Sequence, residues 1–309
     1  MPQIAIIILN WNQPQLTIST IESFLKIKHQ NFSCQIVVVD NGSTDNSILK
    51  IKKFIHSLEI GNWKLEIIQN KENLGYSGGN NLGIKYALKN NFDYVLVANN
   101  DIRVNPNFLQ ILINEIKINP KQILAPKIYF EKGYEFHKNR YKPSELGKVI
   151  WAMGSKIDWG NVYGSNIAID NVDHGQFSNN PQTPDFISGC CLLAPVNLFK
   201  TIGLFDEKYY LYLEDIDLSV RASKSGYTLK IIPNSIIWHI NSGTAIAASN
   251  IQDYFITRNR LLFAYKYAPL KTKLAIFRES IKHLLFGRPW QKIGVRDYYL
   301  SKFGQGSWV

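Results

Sequence analysis

A chain of 309 residues that is 45% hydrophobic and 13% aromatic has apolar material for one large cored domain or two small ones. It has no run approaching the roughly 18 consecutive apolar residues of a bilayer-crossing helix, and the basic-then-apolar pattern of a secretory signal is not read at its start. The formal charge of +11 is concentrated: residues 254–309 carry +9 and the rest only +2, and without a recognition module that charge is poor support for a nucleic-acid-binding class.

Cys34, Cys190 and Cys191 are odd in number and two are adjacent. This argues against a disulfide framework and for a reducing cytosol. No cysteine–histidine spacing suggests zinc.

In chain order, Gln3–Leu9 is a continuous apolar run that reads as a strand buried on both faces. It ends in Asn10-Trp11-Asn12. Pro14 suits a first helical turn, and Leu16, Ile18, Ile21 and Leu25 give helical spacing. Gln35–Val39 is a second buried strand ending at Asp40, with Thr44 or Asp45 as cap of the helix that carries Ile48, Ile51 and Ile55. Leu65–Ile68 is a third strand. The alternation predicts right-handed βαβ units and a parallel sheet. Asn73–Gly83 is glycine-rich and opens a helix through Leu88. It reads either as a loop whose N–H groups cradle phosphate or as a flexible lead-in to a helix. It matches neither GxGxxG nor a Walker loop.

Tyr94–Ala98 is a strand that stops at Asn99-Asn100-Asp101. Ligands of open α/β sheets bind beyond the carboxyl ends of the strands, and a carboxylate there suits a hard cation. A plain strand-to-turn exit uses the same residue types. Pro106–Ile118 is an amphipathic helix, Ile123–Tyr129 a strand, Glu131–Pro184 an irregular and partly β segment, and Asp185–Pro195 a strand with a close backbone approach at Gly189.

Asp206–Arg221 crowds Glu214, Asp215 and Asp217 into four residues beside Tyr209, Tyr210, Tyr212 and Leu213. Carboxylates that close raise one another's pKa, and an aromatic shell suits a general base. Acids in the first turn of a helix are equally ordinary. Ile231–His239 ends a further strand, where His239 is either a packed side chain or a metal ligand. In the tail, Pro269–Phe286 lines up Leu270, Leu274, Phe277, Ile281, Leu284 and Leu285 beside Lys271, Lys273, Arg278 and Lys282. Two readings stand: a helix lying in an anionic membrane interface, or one packing its apolar face on the body.

Taken together, Ile8–Asn12, Val39–Asp45, Asn73–Asn81, Asn99–Asp101, Ser188–Cys191, Tyr212–Leu218 and Trp238-His239 fall in an order that resembles family 2 glycosyltransferases, in particular the bacterial rhamnosyltransferase-like branch. The resemblance spans about residues 3–240, with a less specific likeness at Tyr254 and Arg258-Asn259. It implies a GT-A fold: a Rossmann-like, mostly parallel sheet flanked by helices. The expected organisation is a catalytic domain over 1–250, with a nucleotide-binding half at 1–101 and an acceptor-binding half at 102–250, then a basic helical extension at 251–309.

The resemblance further implies roles. Asp40 would accept from the N3–H of uracil or thymine, with Leu9, Asn10 and Asn12 lining that pocket. Asn73, Gly75, Asn80, Asn81 and Asn100 would approach the nucleotide, and Arg258 its pyrophosphate. Asp101 and His239 would hold a divalent cation, Mg²⁺ or Mn²⁺. Where many relatives begin the metal motif with Asp this chain has Asn99, leaving one carboxylate. Asp215 would be the base, with Glu214 shaping its pKa; Gly189, Cys190 and Asp217 would face the acceptor. The expected reaction is inverting sugar transfer, best matched by rhamnose from dTDP-rhamnose, to a cell-surface polysaccharide or lipid-linked oligosaccharide. A UDP-sugar transferase and a weakly active nucleotide-sugar-binding relative are the alternatives. Expected partners are the dTDP- or UDP-sugar donor, the glycan acceptor, a peripheral membrane contact at the inner face and a second copy of the chain, with no nucleic acid.

Overall fold

The computed structural model describes residues 1–58, 63–177, 182–241 and 249–308. The strands are β1 (Gln3–Asn10), β2 (Ser33–Asp40), β3 (Lys64–Gln69), β4 (Tyr94–Ala98), β5 (Ile102–Val104), β6 (Gln122–Phe130), β7 (Ile150–Ala152), β8 (Ser155–Asp158), β9 (Tyr163–Asn166), β10 (Cys191–Pro195) and β11 (Thr228–His239). The helices are α1 (Pro14–Leu25), α2 (Ser47–Ser57), α3 (Gly75–Lys89), α4 (Phe108–Ile118), α5 (Val196–Ile202), α6 (Glu214–Lys224), α7 (Asn250–Tyr267), α8 (Leu270–Phe286) and α9 (Pro289–Tyr299).

The main sheet runs β3-β2-β1-β4-β10-β6-β11-β5, with β7 paired to β6. β3, β2, β1 and β4 are mutually parallel, β10 is antiparallel to both its neighbours, and β5 is antiparallel to β11. The fold is therefore α/β and mostly parallel, as expected. The apolar runs explain it. Ile4, Ile6 and Ile8 of β1 face the layer holding Ile21, Phe24, Ile51 and Phe108, while Ala5 and Ile7 face the layer holding Ile84 and Ala87. A strand covered by helices on both faces has no polar side to show.

Two local expectations are corrected. Asn73–Gly83 is mostly helix: α3 begins at Gly75. A Cβ at Gly79 would stand 2.4 Å from Leu9 Cδ1, and one at Gly83 2.5 Å from Ile7 Cγ2. These glycines let α3 lie close on β1; they are not a loop wrapped around a phosphate. The strand expected over Asp185–Pro195 is confined to Cys191–Pro195, because residues 188–190 turn onto the sheet rim. Within Glu131–Pro184, three short strands form; its residues 178–181 lie outside the described residues.

The tail packs on the body. Leu261, Phe263, Ala264, Ile276 and Val295 share a buried cluster with Phe186, Tyr209, Ile216 and Val220. Tyr254 and Phe255 of α7 cluster with Tyr210, flanked by Trp290 and Trp308.

Candidate active site

Parallel strands leave their carboxyl ends on one rim of the sheet. β1 ends there at Asn10, β2 at Asp40 and β4 just before Asn99-Asn100-Asp101. The reversed strand β10 starts on the same rim, with Cys191 opposite Ala98. This is why residues far apart in sequence meet here.

At the β1–β2 end of the rim, Asp40 is buried; its Oδ1 accepts from Asn10 Nδ2 at 2.8 Å and Ser43 Oγ at 2.6 Å, and among the described residues its Oδ2 accepts only Ser43 N at 3.2 Å. Asn10 also gives its second amide hydrogen to Ser43 Oγ and accepts from Thr17 Oγ1 at 2.7 Å. Its side chain is thus fully engaged in orienting Asp40. Asn12, with φ +54°, accepts from Thr44 N at 2.8 Å and steadies the loop after β2. Asn73 Oδ1 accepts from Asn41 Nδ2 at 2.9 Å and Gly75 N at 2.8 Å. Gly75 has φ +68°, and a Cβ on it would meet Tyr210 at 2.5 Å. Asn80 donates to Tyr76 O at 2.9 Å, while its Oδ1 is buried without a partner among the described residues. Asn100 donates to Thr17 Oγ1 at 3.1 Å.

Asp101 and His239 meet across the β5–β11 pairing, Oδ1 to Nε2 at 3.1 Å. The imidazole stands edge-on to Trp151, and its Nδ1 is buried without a hydrogen-bond partner among the described residues. The carboxylate suits Mg²⁺ or Mn²⁺, and the imidazole favours a transition metal such as Mn²⁺ over Mg²⁺, substrate oxygens completing the shell. Among the described residues no group of three or more His, Cys, Asp or Glu surrounds them.

Asp215 is the second residue of α6, with its Oδ2 accepting Gly189 N at 3.0 Å and its Oδ1 accepting Ile216 N at 2.8 Å. One residue on from Gly189, Cys190 O accepts Asn99 N at 2.9 Å. The 189–190 turn therefore ties Asp215 to the strand end that carries Asp101. Burial pushes the Asp215 carboxyl up, partly offset by those two N–H groups. Burial, then the charge of Asp215, holds Glu214 well above the carboxylate range, and its Oε2 lacks a partner among the described residues.

A carboxyl that binds its proton more tightly when folded contributes stability that is full below its unfolded pKa, near 4.5 for Glu214, and lost as pH rises through the folded value. Glu214→Gln should therefore raise the thermal midpoint, by a margin that widens from about pH 5 to about pH 8. Paired melts across that range check this; a margin that stays level or narrows would refute it.

The segment leading into Glu214 is strained. Tyr210, Tyr212 and Leu213 have φ of +65°, +69° and +69°, a region that non-glycine residues occupy only when held there. The clamp comes from α7. Asn259 Nδ2 donates to Tyr209 O, Leu211 O and Tyr212 O at 2.8–2.9 Å. Arg258 donates to Lys208 O at 3.1 Å, Tyr209 O at 3.0 Å and Gly304 O at 2.6 Å.

The structure gives three expected ligand contacts a different place. Arg258 is 0% exposed, with its guanidinium engaged by those carbonyls and by Asn259, so it braces the loop and does not face a pyrophosphate. Asn81 holds Phe205 O, Phe205 N and Glu207 through its amide. Asp217 is buried with its carboxylate taken up by Arg221 Nε at 2.7 Å, Lys266 Nζ at 2.6 Å and Tyr267 OH at 2.7 Å. Burial pushes its pKa up, but these partners together hold it below the usual carboxylate range. Gly189 lies on the rim, where Tyr76 OH donates to its carbonyl at 2.6 Å; Cys190 is buried beside it. Asn259 and Tyr76 are positioning residues that sequence reasoning did not assign. The Arg258-Asn259 pair was visible, but its partners lie about 50 residues away.

Beside Asp215 lies a cleft of about 220 Å³, lined by Glu214, Asp215, Tyr163, Phe186, Leu213 and Ile256. A second cleft shares Tyr163 and Ile256 with it and continues to Arg260, Glu279 and His283.

A family model described as Glycosyl transferase family 2 matches residues 5–194. The low-salt glycan biosynthesis hexosyltransferase Agl10 of Haloferax volcanii is 26% identical over 200 residues, covering 63% of this chain and 55% of that protein. An N-acetylglucosaminyl-diphospho-decaprenol L-rhamnosyltransferase of Mycobacterium tuberculosis is 26% identical over 152 residues, covering 48% of this chain and 47% of that one. The chain thus spans about half the length of these curated relatives. Among solved structures, GalNAc-T7 with UDP, GalNAc and Mn²⁺ superposes with a TM-score of 0.63 at 17% identity, over 90% of this chain and 54% of that chain. The mannosyltransferase PcManGT from Pyrobaculum calidifontis, with GDP-Man and Mn²⁺, gives 0.57 at 13% identity, over 97% and 74%. The shared fold is GT-A.

Proposed function

Since the chain belongs to glycosyl transferase family 2, we propose that it moves a sugar from a dTDP- or UDP-linked donor, rhamnose being the best match, to a hydroxyl of a glycan or lipid-linked glycan, with inversion. The observation that carries this reading is the 189–190 turn, which joins Asp215 through Gly189 N to the Asn99–Asp101 strand end through Cys190 O. The rhamnosyltransferase relative, named for a decaprenol-linked substrate, supports the lipid-linked acceptor.

Asp40 Oδ2 keeps acceptor capacity for the imide N–H of a pyrimidine base, oriented by Asn10 and Ser43. The acceptor enters the cleft between Tyr163 and Ile256. Its hydroxyl is too weak an acid to attack unaided, so Asp215 takes the proton as the new bond to the anomeric carbon forms. The bond from that carbon to the diphosphate oxygen breaks, and its electron pair leaves with the nucleoside diphosphate. One displacement with one base gives inversion. Held by Asp101 and His239, a divalent cation would neutralise the charge on that leaving group.

Thermal-shift titration with dTDP-, UDP- and GDP-sugars in Mn²⁺ tests the donor side. A dTDP- or UDP-sugar should raise the midpoint and a GDP-sugar should not. Asp101→Asn should weaken the Mn²⁺ dependence of that rise by at least the ~10–100-fold that loss of even an outer partner of a metal ligand costs. If no pyrimidine nucleotide raises the midpoint, the reading fails.

A further inference from the structure

Helix α8 wears its apolar face outward. Leu270, Leu274, Phe277, Ile281, Leu284 and Leu285 are 40–73% exposed. What α8 turns to the body is Thr272, Ile276 and Ser280. At about 100° per residue the six apolar side chains fall within a stripe roughly 100° wide. Lys271, Arg278 and Lys282 follow one edge of it and Lys273 the other. The acids of α8 and α9, Glu279 and Asp297, are turned away from that surface. Glu279 accepts from Arg260 Nη1 at 2.8 Å and Nη2 at 3.0 Å. Asp297 is 0% exposed and accepts from Tyr254 OH at 2.6 Å and Ser307 N at 2.8 Å. The charge bordering the stripe is therefore basic.

Of the two readings open at the level of sequence, packing of this stripe on the body is not what the described residues adopt. A contiguous exposed apolar strip of this kind calls for an occupant. A second copy docking stripe to stripe would bring lysine- and arginine-bordered edges together, and like charges at a rim oppose association. An anionic bilayer matches both features: the acyl boundary takes Leu, Phe and Ile, and the lipid phosphates take the Lys and Arg borders.

We propose that α8 docks the protein on an anionic membrane surface, lying in the interface plane with Leu270, Leu274, Phe277, Ile281, Leu284 and Leu285 inserted. The second cleft runs from Tyr163 and Ile256 to Glu279 and His283 on the inner side of α8, so the docked helix borders a path to Asp215. The docking stands on α8 alone; only the use of that path rests on the transferase reading.

Flotation of the full-length chain with phosphatidylcholine vesicles, with and without phosphatidylglycerol, tests the docking without any sugar donor. The chain should float with the anionic vesicles and far less with the neutral ones, and added salt should release it. Phe277→Ser with Ile281→Ser should cut the bound fraction roughly tenfold or more. Because both residues are exposed, the thermal midpoint should hold. Lys271→Gln with Lys282→Gln should weaken binding to the anionic vesicles alone. A chain that stays in solution with both vesicles, flotation unchanged by the serine pair, or a dimer in light scattering that the serine pair dissolves would each overturn the proposal.

Discussion

Replacing Asp215 by Asn should leave nucleotide binding within about twofold and lower the transfer rate by ~10²–10⁴-fold, the usual contribution of a positioned general base. The carboxylate receives one N–H on each oxygen, from Gly189 at 3.0 Å and Ile216 at 2.8 Å. Those bonds fix its direction and leave lone pairs for a proton. Asparagine keeps the shape but sets an NH₂ group against one of the two N–H donors, at a cost of about 1–3 kcal/mol in stability. A lowered midpoint is therefore expected alongside the lost rate, and titration of the nucleotide separates the two effects. Normal single-turnover transfer by Asp215→Asn would remove Asp215 from the role of base.

The second large effect is expected at Arg258, which is fully buried. Arg258→Met should cost about 1–3 kcal/mol for each buried carbonyl it leaves without a donor. It would strip hydrogen bonds from Lys208 O, Tyr209 O and Gly304 O. It would also free a segment whose residues 210, 212 and 213 sit at positive φ. Arg258→Lys provides the decisive comparison. Lysine refills the stem between Tyr254 and Phe255 and restores charge, but a single ammonium cannot span three carbonyls as the guanidinium fork does. The midpoint should largely recover in Arg258→Lys while kcat stays depressed and KM for the donor stays near that of the parent. Recovery of both together would mean that Arg258 only stabilises the fold.

The parts of the fold that sequence made legible are those governed by short-range pattern. β1, β2 and β4 carry continuous apolar runs and β6 one interrupted by Lys127, because both faces are covered, and each stands within a residue or two of its expected place. The start of α6 at Glu214 follows from acids bunched before an apolar helix face. What was not legible depends on partners distant along the chain. Gly79 and Gly83 resemble phosphate-loop glycines until Leu9 and Ile7 are seen against them. Arg258 resembles an anion ligand until Lys208 and Gly304 close on it, and Asp217 resembles a site acid until Arg221, Lys266 and Tyr267 surround it. β5 is only three residues long and carries no periodic signal; it exists because β11 offers an edge.

The direction of β10 has a chemical consequence. A sheet whose strands all point one way exposes mainly spent carbonyl ends along its forward margin, and an anion there must find its donors in side chains or helix starts. One reversed strand threads backbone amides into that margin, and Gly189 is the amide that Asp215 receives. Were the strand to run forward instead, the carboxylate would face oxygen where it now meets nitrogen.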